Sequence, residues 1–271
     1  MSTQGDKLFA GAIPRLYETH LVPLIFAAYA EDMARRVAAG KPRRVLEMAA
    51  GTGVVTRALA TTLDADASLV ATDLNDGMLS EAKSIGASRP VTWRQADAMA
   101  LPFDDGSFDA VVCQFGAMFF PDKAAAFREA RRVLAPGGTF AFSVWDRIED
   151  NEFADVITQS LAKRFSDDPP RFLARTPHGY HDRSAIVRDL ASAGFTTPAA
   201  IDTVAERSRA ASADIPAFAY CAGTPLRNEI EARAPGGLDA AMRLAADALA
   251  ERFGRGPIDG KIQAHVVIVE A

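Results

Sequence analysis

The sequence predicts an α/β fold with a doubly wound, mostly parallel β-sheet. Short apolar runs alternate with amphipathic helical stretches through residues 44–145, and a glycine-rich turn follows the first run. Strand–helix–strand connections are right-handed and place successive strands in one parallel sheet. The chain has 271 residues, of which 49% are hydrophobic and 24% charged, which suits a single large domain with a full core.

The individual elements follow from the same pattern. The predicted strands are 44–48, 69–72, 91–95, 110–115 and 139–145, and the predicted helices are 54–63, 77–85 and 122–134. Pro121 suits the first turn of the third helix, whose end is indicated by Gly137 and Gly138. Two later apolar runs, 200–207 and 262–269, are predicted to be the last strands.

The turn after the first strand is the first sign of a ligand site. Gly51 and Gly53 let the backbone approach a ligand and open a helix whose first N–H groups have no partner within the helix. Ligands of such sheets bind beyond the carboxyl ends of the strands, where Glu47, Asp73 and Asp97 fall. An acid at the end of the second strand can accept hydrogen bonds from both ribose hydroxyls. The pattern therefore indicates a nucleoside-bearing cofactor.

The type of cofactor depends on two residues. A dinucleotide fingerprint would have glycine or alanine at the position of Thr56. Glu47 would repel a pyrophosphate, whereas a sulfonium or ammonium group would be attracted by its carboxylate. A cationic nucleoside is therefore favoured over NAD.

A set of motifs resembles one enzyme family. Glu47-x-Ala49-x-Gly51-x-Gly53, with Asp73 and Asp97 at the next two strand ends, is similar to the first three motifs of the class I S-adenosylmethionine-dependent methyltransferases. Further segments complete the pattern of the subgroup that contains the ubiquinone and menaquinone methyltransferases, namely 101–103, 107–109 and 132–138.

The resemblance implies a Rossmann-like, seven-stranded sheet with an antiparallel last strand and S-adenosyl-L-methionine as cofactor. The chain departs from the family pattern at Ala49, which stands in place of the first glycine. An alanine there is tolerable if its φ is negative. The cofactor-binding residues that it implies are Glu47, Ala49, Gly51, Thr52, Gly53, Asp73, Leu74, Met78, Asp97, Ala98, Gln114 and Phe115.

The expected reaction is in-line transfer of a methyl group to a small organic acceptor. Proximity, orientation and exclusion of water can supply most of the acceleration, and a general base is needed only for some acceptors. Weak candidates for that base are Tyr17, His178 and His181. Oxygen, nitrogen and carbon all remain open as the methylated atom. No His or Cys spacing suggests a metal site. The alternatives are a non-catalytic S-adenosylmethionine or nucleoside binder and, less favoured, an NAD-dependent oxidoreductase.

The rest of the chain is predicted to surround the core of a single domain, 1–271. Residues 1–40 form an N-terminal helical cap, 41–146 the cofactor-binding core, and 147–198 and 210–258 helical lid insertions that build the acceptor pocket. A net charge of −5 argues against nucleic acid as a partner. The apolar run 21–30 is too short to span a membrane, and two cysteines suit a cytoplasmic location. The sequence does not determine an oligomeric state.

Overall fold

A seven-stranded sheet is the centre of the computed structural model, which describes residues 11–271. The strand order is β3-β2-β1-β4-β5-β7-β6. The strands are β1 (Arg44–Glu47), β2 (Ser68–Asp73), β3 (Thr92–Gln95), β4 (Phe108–Gln114), β5 (Leu134–Trp145), β6 (Ala200–Ala210) and β7 (Ile258–Glu270). The helices are α1 (Ile13–Leu16), α2 (Ala27–Ala39), α3 (Val54–Thr62), α4 (Asp76–Ile85), α5 (Lys123–Val133), α6 (Glu152–Arg164), α7 (Phe172–Arg175), α8 (Arg183–Ser192), α9 (Asp214–Ala222), α10 (Leu226–Arg233) and α11 (Leu238–Phe253).

The strand directions confirm the predicted doubly wound sheet with an antiparallel last strand. Strands β1 to β5 pair in parallel, and β7 inserts antiparallel between β5 and β6. The chain adds β2 and β3 on one side of β1 and then crosses back to add β4 and β5 on the other side, so the strand order reverses between β1 and β4. The crevice at that reversal, outside the carboxyl ends of the strands, is where such folds bind ligands.

Alternation along the strands produces a core on each face of the sheet. Val45 and Val112 join one apolar cluster with Leu59 of α3, while Leu46 and Val111 belong to the other. The second cluster is the larger and includes stacked and tilted rings of Phe127, Phe140 and Phe142.

The segment before β1 contains a π-helix, Tyr17–Phe26, that continues directly into α2. Pro23 lies inside it and has no N–H to donate, and the N–H of Ala27 donates to the carbonyl of Val22, an i→i−5 bond. A π-turn holds more residues than an α-turn, so the residues that follow it face a different side than they would in a continuous α-helix. Tyr29 and Ala30 are buried as a result, whereas Ala28 is exposed. Residues 1–10 of the predicted N-terminal cap lie outside the described part of the chain.

The junction between α5 and β5 differs from the sequence-based expectation. Helix α5 ends at Val133 and β5 begins at Leu134, before Gly137 and Gly138. Leu134 pairs with Phe108, and a register shift follows before the regular ladder with β4 resumes. The two glycines therefore lie within an irregular strand instead of marking the helix end.

The regions predicted as insertions are mainly helical. Helices α6 to α8 connect β5 to β6, and α9 to α11 connect β6 to β7. Helix α11 packs on α6, with the rings of Phe153 and Phe253 edge to face at 5.2 Å. Among residues 11–271, no helix combines the length and apolar character needed to cross a membrane.

Arg132 ties α5 to the loop that follows the site residue Asp97. Its guanidinium donates to the carbonyl oxygens of Leu101 (2.9 Å) and Phe103 (2.8 Å) and pairs with Glu129. Because these charged donors are partly buried, we expect Arg132→Ala to lower the free energy of unfolding by about 2 kcal/mol in urea titration. The matched variant Arg128→Ala, on an exposed position of the same helix, should change it by less than about 0.5 kcal/mol. Equal effects of the two variants would contradict this role.

Candidate active site

A cavity of about 330 Å³ lies at the carboxyl ends of β1, β2 and β4. Its size suits a small-molecule ligand. Of the twelve residues predicted to bind the cofactor, all except Gly53 line this cavity: Glu47, Ala49, Gly51, Thr52, Asp73, Leu74, Met78, Asp97, Ala98, Gln114 and Phe115. The N-terminal segment covers the cavity with Tyr17 and Phe26.

Asp73 fastens the glycine turn to the second strand. Its carboxylate accepts the N–H of Gly51 at 2.9 Å and the N–H of Asn75 at 2.8 Å. These donors favour the ionised form, although burial, the larger effect, raises the pKa of Asp73. The cap of α4 is Asn75, whose side chain accepts the N–H groups of Gly77 and Met78. Asn75 and not Asp73 therefore caps α4.

Glu47 is buried in the wall of the same cavity, with 2% of its surface exposed. The hydroxyl of Thr56 donates to its carboxylate at 2.5 Å. Burial, reinforced by the nearby Asp73, raises the pKa of Glu47 to about 8, against the opposing effects of Thr56 and Arg57. A buried carboxylate of this kind gains most from a cationic ligand. Thr56, which breaks the dinucleotide pattern, is the residue that holds Glu47.

The far end of the cavity is less enclosed. Asp97 is partly buried and accepts the N–H of Met99 at 2.9 Å. Leu74 lies at the rim and is 53% exposed despite its apolar side chain, which suits a surface that a ligand covers. Gly53 instead makes room for packing, because a Cβ there would meet Trp93 at 3.1 Å and Ala82 at 3.2 Å.

Two non-glycine residues at the site have a left-handed backbone. Ala49 has φ +53°, so the negative φ that would make an alanine tolerable there is not what the structure shows. Phe115 also has φ +53°, at the end of β4, where its ring stacks on Trp145 at 3.9 Å. Such conformations cost free energy and concentrate at functional sites.

A second, smaller cavity of about 60 Å³ adjoins the first. Tyr17, Phe26, Phe115 and Phe119 line both. The other lining residues come from the N-terminal segment, the end of β5 and the two helical insertions: Leu21, Ile25, Trp145, Asn151, Phe172, Leu173, Pro177, His178, Tyr220 and Thr224.

The three candidate bases are placed very differently. His178 is buried and lines the second cavity. His181 is exposed, lies outside both cavities and donates through Nδ1–H to the carbonyl of His178. Tyr17 lies at the junction of the cavities, but burial and the carboxylates of Asp73 and Glu18 raise the pKa of its phenol, which makes it a poor base.

A family model for a methyltransferase domain matches residues 46–142. The demethylmenaquinone methyltransferase of Mycolicibacterium gilvum is 36% identical over 162 residues, which cover 56% of this chain and 68% of that protein. That of Corynebacterium kroppenstedtii is 34% identical over 161 residues, covering 56% and 67%. The chain belongs to the S-adenosylmethionine-dependent methyltransferases. Its methyl donor is S-adenosylmethionine.

Solved structures share the fold of this methyltransferase. The YcgJ protein of Bacillus subtilis has a TM-score of 0.57 at 19% identity, with 90% of this chain and 98% of that one covered. A Haemonchus contortus phosphoethanolamine N-methyltransferase, solved with S-adenosylhomocysteine, has a TM-score of 0.55 at 16% identity, with 95% and 56% covered.

Sequence reasoning missed several residues around the two cavities, above all Phe26 and Trp145, whereas Tyr220 lies in an insertion that was predicted to build the acceptor pocket. Trp145 had a usable signal, because it ends the strand next to β4 and so reaches the same edge of the sheet. Phe26 and Tyr220 come from helices whose docking follows no local pattern. Of the residues that follow Gly116, Met118 is buried in the core, and Phe119 and Phe120 line the main cavity.

The contact between Ala49 and Gly116 provides a test of the strained turn. A Cβ on Gly116 would lie 2.5 Å from that of Ala49 and 2.9 Å from the Cys113 sulfur. We expect Gly116→Ala to lower the free energy of unfolding by about 2 kcal/mol through overpacking. Ala49→Gly should raise it by about 0.5 kcal/mol, because relief of the left-handed strain exceeds the entropy cost of glycine. In the double variant the two changes should be non-additive by more than about 0.5 kcal/mol; simple additivity in denaturant titrations would contradict the contact.

The raised pKa of Glu47 predicts a pH-dependent stability in the cofactor-free protein. Between the unfolded value of 4.5 and the folded value of about 8, the folded state holds one more proton than the unfolded state. Stability of the wild type relative to Glu47→Gln should therefore fall as pH rises from 5 to 8, by at most about 1.4 kcal/mol per pH unit, and then level off. Urea titrations at several pH values measure this difference, and a constant difference would show that Glu47 titrates normally.

Proposed function

We propose that this enzyme transfers the methyl group of S-adenosylmethionine to a small organic acceptor bound in the second cavity. The observation that carries the proposal is the pairing of two adjoining cavities of opposite character. The larger is bordered by the carboxylates of Glu47, Asp73 and Asp97, and the smaller is lined by aromatic and other uncharged side chains. A cationic donor and an apolar acceptor would be separated in this way.

The residues of the main cavity fit the donor. The Gln114 Oε1 and Thr52 hydroxyl are buried and have no hydrogen-bond partner within residues 11–271. Buried polar atoms are normally paired, so these two suit the N–H groups of a ligand. Asp73 would hold the ribose hydroxyls, Asp97 the adenine edge, and Glu47 would favour the positive charge. When bound, S-adenosylmethionine supplies an activated methyl group on a sulfonium.

The chain's own contribution to the reaction is mainly orientation and exclusion of water. Phe115 and Phe119 form a common wall of the two cavities. An ion pair between Glu18 and Arg57 (2.5 Å) holds the covering N-terminal segment against α3, and Arg57 also donates to the Thr52 carbonyl at 2.8 Å. The cover is thus linked to the turn that borders the donor cavity.

We further propose a cytoplasmic location, which the buried, unpaired thiols of Cys113 and Cys221 support. The proposed organisation keeps 41–146 as the cofactor-binding core, with 147–198 and 210–258 forming the acceptor side. His178 and Tyr220 of these insertions line the second cavity.

Calorimetric titration with S-adenosylhomocysteine and with NADH tests the donor site, and only the first should bind. Transfer of a labelled methyl group to phenols, quinols, amines, carboxylic acids and demethylmenaquinone tests turnover. Binding of S-adenosylhomocysteine without transfer to any of these acceptors would favour a non-catalytic binder.

Asp73→Ala should weaken S-adenosylhomocysteine binding at least tenfold, about 1.4 kcal/mol, because charge-assisted hydrogen bonds to the ribose are lost and the Gly51 turn is released. The control is Asp76→Ala, an exposed acid three residues away that does not line the cavity. Unchanged affinity in a folded Asp73→Ala protein would remove Asp73 from the binding site.

A further inference from the structure

We propose that the acceptor is a small, uncharged aromatic hydroxyl compound whose O–H donates to Nε2 of His178, and that this nitrogen takes the proton during methylation. The inference rests on the proposed function and adds the class of acceptor and the base.

The tautomer of His178 is fixed by its backbone partner. Nδ1 lies 2.8 Å from the carbonyl oxygen of Asp146. A carbonyl oxygen has only lone pairs to offer, so Nδ1 carries the hydrogen and donates it. In the neutral ring the lone pair is then on Nε2. Within residues 11–271, Nε2 makes no hydrogen bond, and the ring lines the second cavity. The available group is therefore a hydrogen-bond acceptor.

The ring is also held neutral. Burial lowers the pKa of His178 to about 4, and the charge of His181, when protonated, acts in the same direction. The Asp146 carbonyl and the carboxylates of Asp146 and Glu149 oppose this shift but are the smaller effects. At neutral pH the nitrogen is thus ready to accept a hydrogen bond instead of donating one.

The other walls of the second cavity select for an uncharged, planar molecule. Among its described lining residues there is no carboxylate to pair with an ammonium and no lysine or arginine to pair with a carboxylate. Eight of the fourteen lining residues, His178 included, carry an aromatic ring, and the ring centroid of Trp145 is 6.0 Å from that of His178. The polar groups of Asn151 and Thr224 are already engaged with main-chain groups. In chemical character an aromatic ring with one hydroxyl matches this surface. Because the cavity holds about 60 Å³, less than such a ring, the ring would extend past Phe115 and Phe119 toward the main cavity.

Proton and charge balance in the proposed step. A bond forms between the acceptor oxygen and the methyl carbon, and the bond between that carbon and sulfur breaks, with its electron pair remaining on sulfur. The hydroxyl proton moves to Nε2 of His178. One positive charge leaves the sulfonium and one appears on the imidazole, so the net charge of the site is unchanged. Burial opposes the charge on the ring, and the carboxylates of Asp146 and Glu149 partly offset that cost. A hydroxyl is a weak nucleophile, which is why it gains from this base.

The binding half of the proposal can be measured without turnover. Phenol and 1-naphthol are the probes, titrated into the complex with S-adenosylhomocysteine. Trp93 and Trp145 are the two tryptophans of the chain, so a Trp93→Phe background reports on Trp145 alone. At least one probe should quench its emission, and ¹⁵N spectra of the histidine rings should show His178 with its hydrogen on Nδ1.

The base is tested by His178→Gln, whose amide oxygen can still accept a hydrogen bond but cannot store the proton. We expect probe binding within about threefold of wild type and methyl transfer to the same probe reduced at least about 100-fold. His20→Gln is the control, because His20 packs against Phe218 outside both cavities and should leave binding and transfer unchanged.

Several results would overturn the inference while leaving the proposed function intact. These are failure of both probes to bind, a His178 ring with its hydrogen on Nε2, transfer confined to amines, carbons or carboxylates, or full activity of His178→Gln. Failure of the proposed function itself has a different signature, in which the wild type does not bind S-adenosylhomocysteine or transfers to no acceptor of any class.

Discussion

The carboxylate of Asp73 is the link on which the geometry of the site depends. The turn after β1 has left-handed backbone at Ala49, Gly51 and Gly53, a conformation that the local sequence alone would not hold. The Gly51 N–H, which has no helical partner, is satisfied by Asp73 from the neighbouring strand. Parallel pairing of β1 with β2 brings the two residues together, since Glu47 lies opposite Ala71 in the register. The conformation of the turn therefore depends on the pairing of β1 with β2 as well as on the glycines.

Burial of acids gives the donor cavity its chemical preference. Burial raises the pKa of both Glu47 and Asp73, and the charge of Asp73 raises the pKa of Glu47 further. Without a bound cation, the burial of these two carboxylates is unfavourable. A positively charged ligand reverses the sign of the interaction, so the unfavourable electrostatics of the free protein become selectivity for a cation over a pyrophosphate.

Much of this could be predicted from sequence because the information is local. Strand periodicity predicted the doubly wound sheet, and the order of Glu47, Gly51, Asp73 and Asp97 predicted a cationic nucleoside. The resemblance of these motifs to the methyltransferase family implied the antiparallel last strand and S-adenosylmethionine, and all of these are confirmed. The exact ends of elements were less predictable. Helix α5, for example, ends at Val133 because the next residue, Leu134, already pairs with Phe108 of β4. The assignment of individual binding residues stays a prediction.

The second cavity was less accessible to prediction than the first because it is lined by segments distant in sequence. Tyr17, Trp145 and His178 come together only when the π-helix, the end of β5 and the first insertion dock, and no periodicity encodes that docking. The sequence did contain one part of it, the histidine, but could not show that a carbonyl fixes its tautomer.

In the proposed reaction the two cavities have different charges. Carboxylates border the main cavity, whereas the second cavity is lined by aromatic and other uncharged side chains, His178 among them. A charged acceptor would have to leave water for a cavity wall that holds no opposite charge in the described chain, which costs several kcal/mol. A neutral acceptor avoids that cost, and apolar burial then favours its binding. Under the proposed function, the separation of charge between the neighbouring cavities would therefore favour a cationic donor on one side of the transferred methyl group and a neutral acceptor on the other.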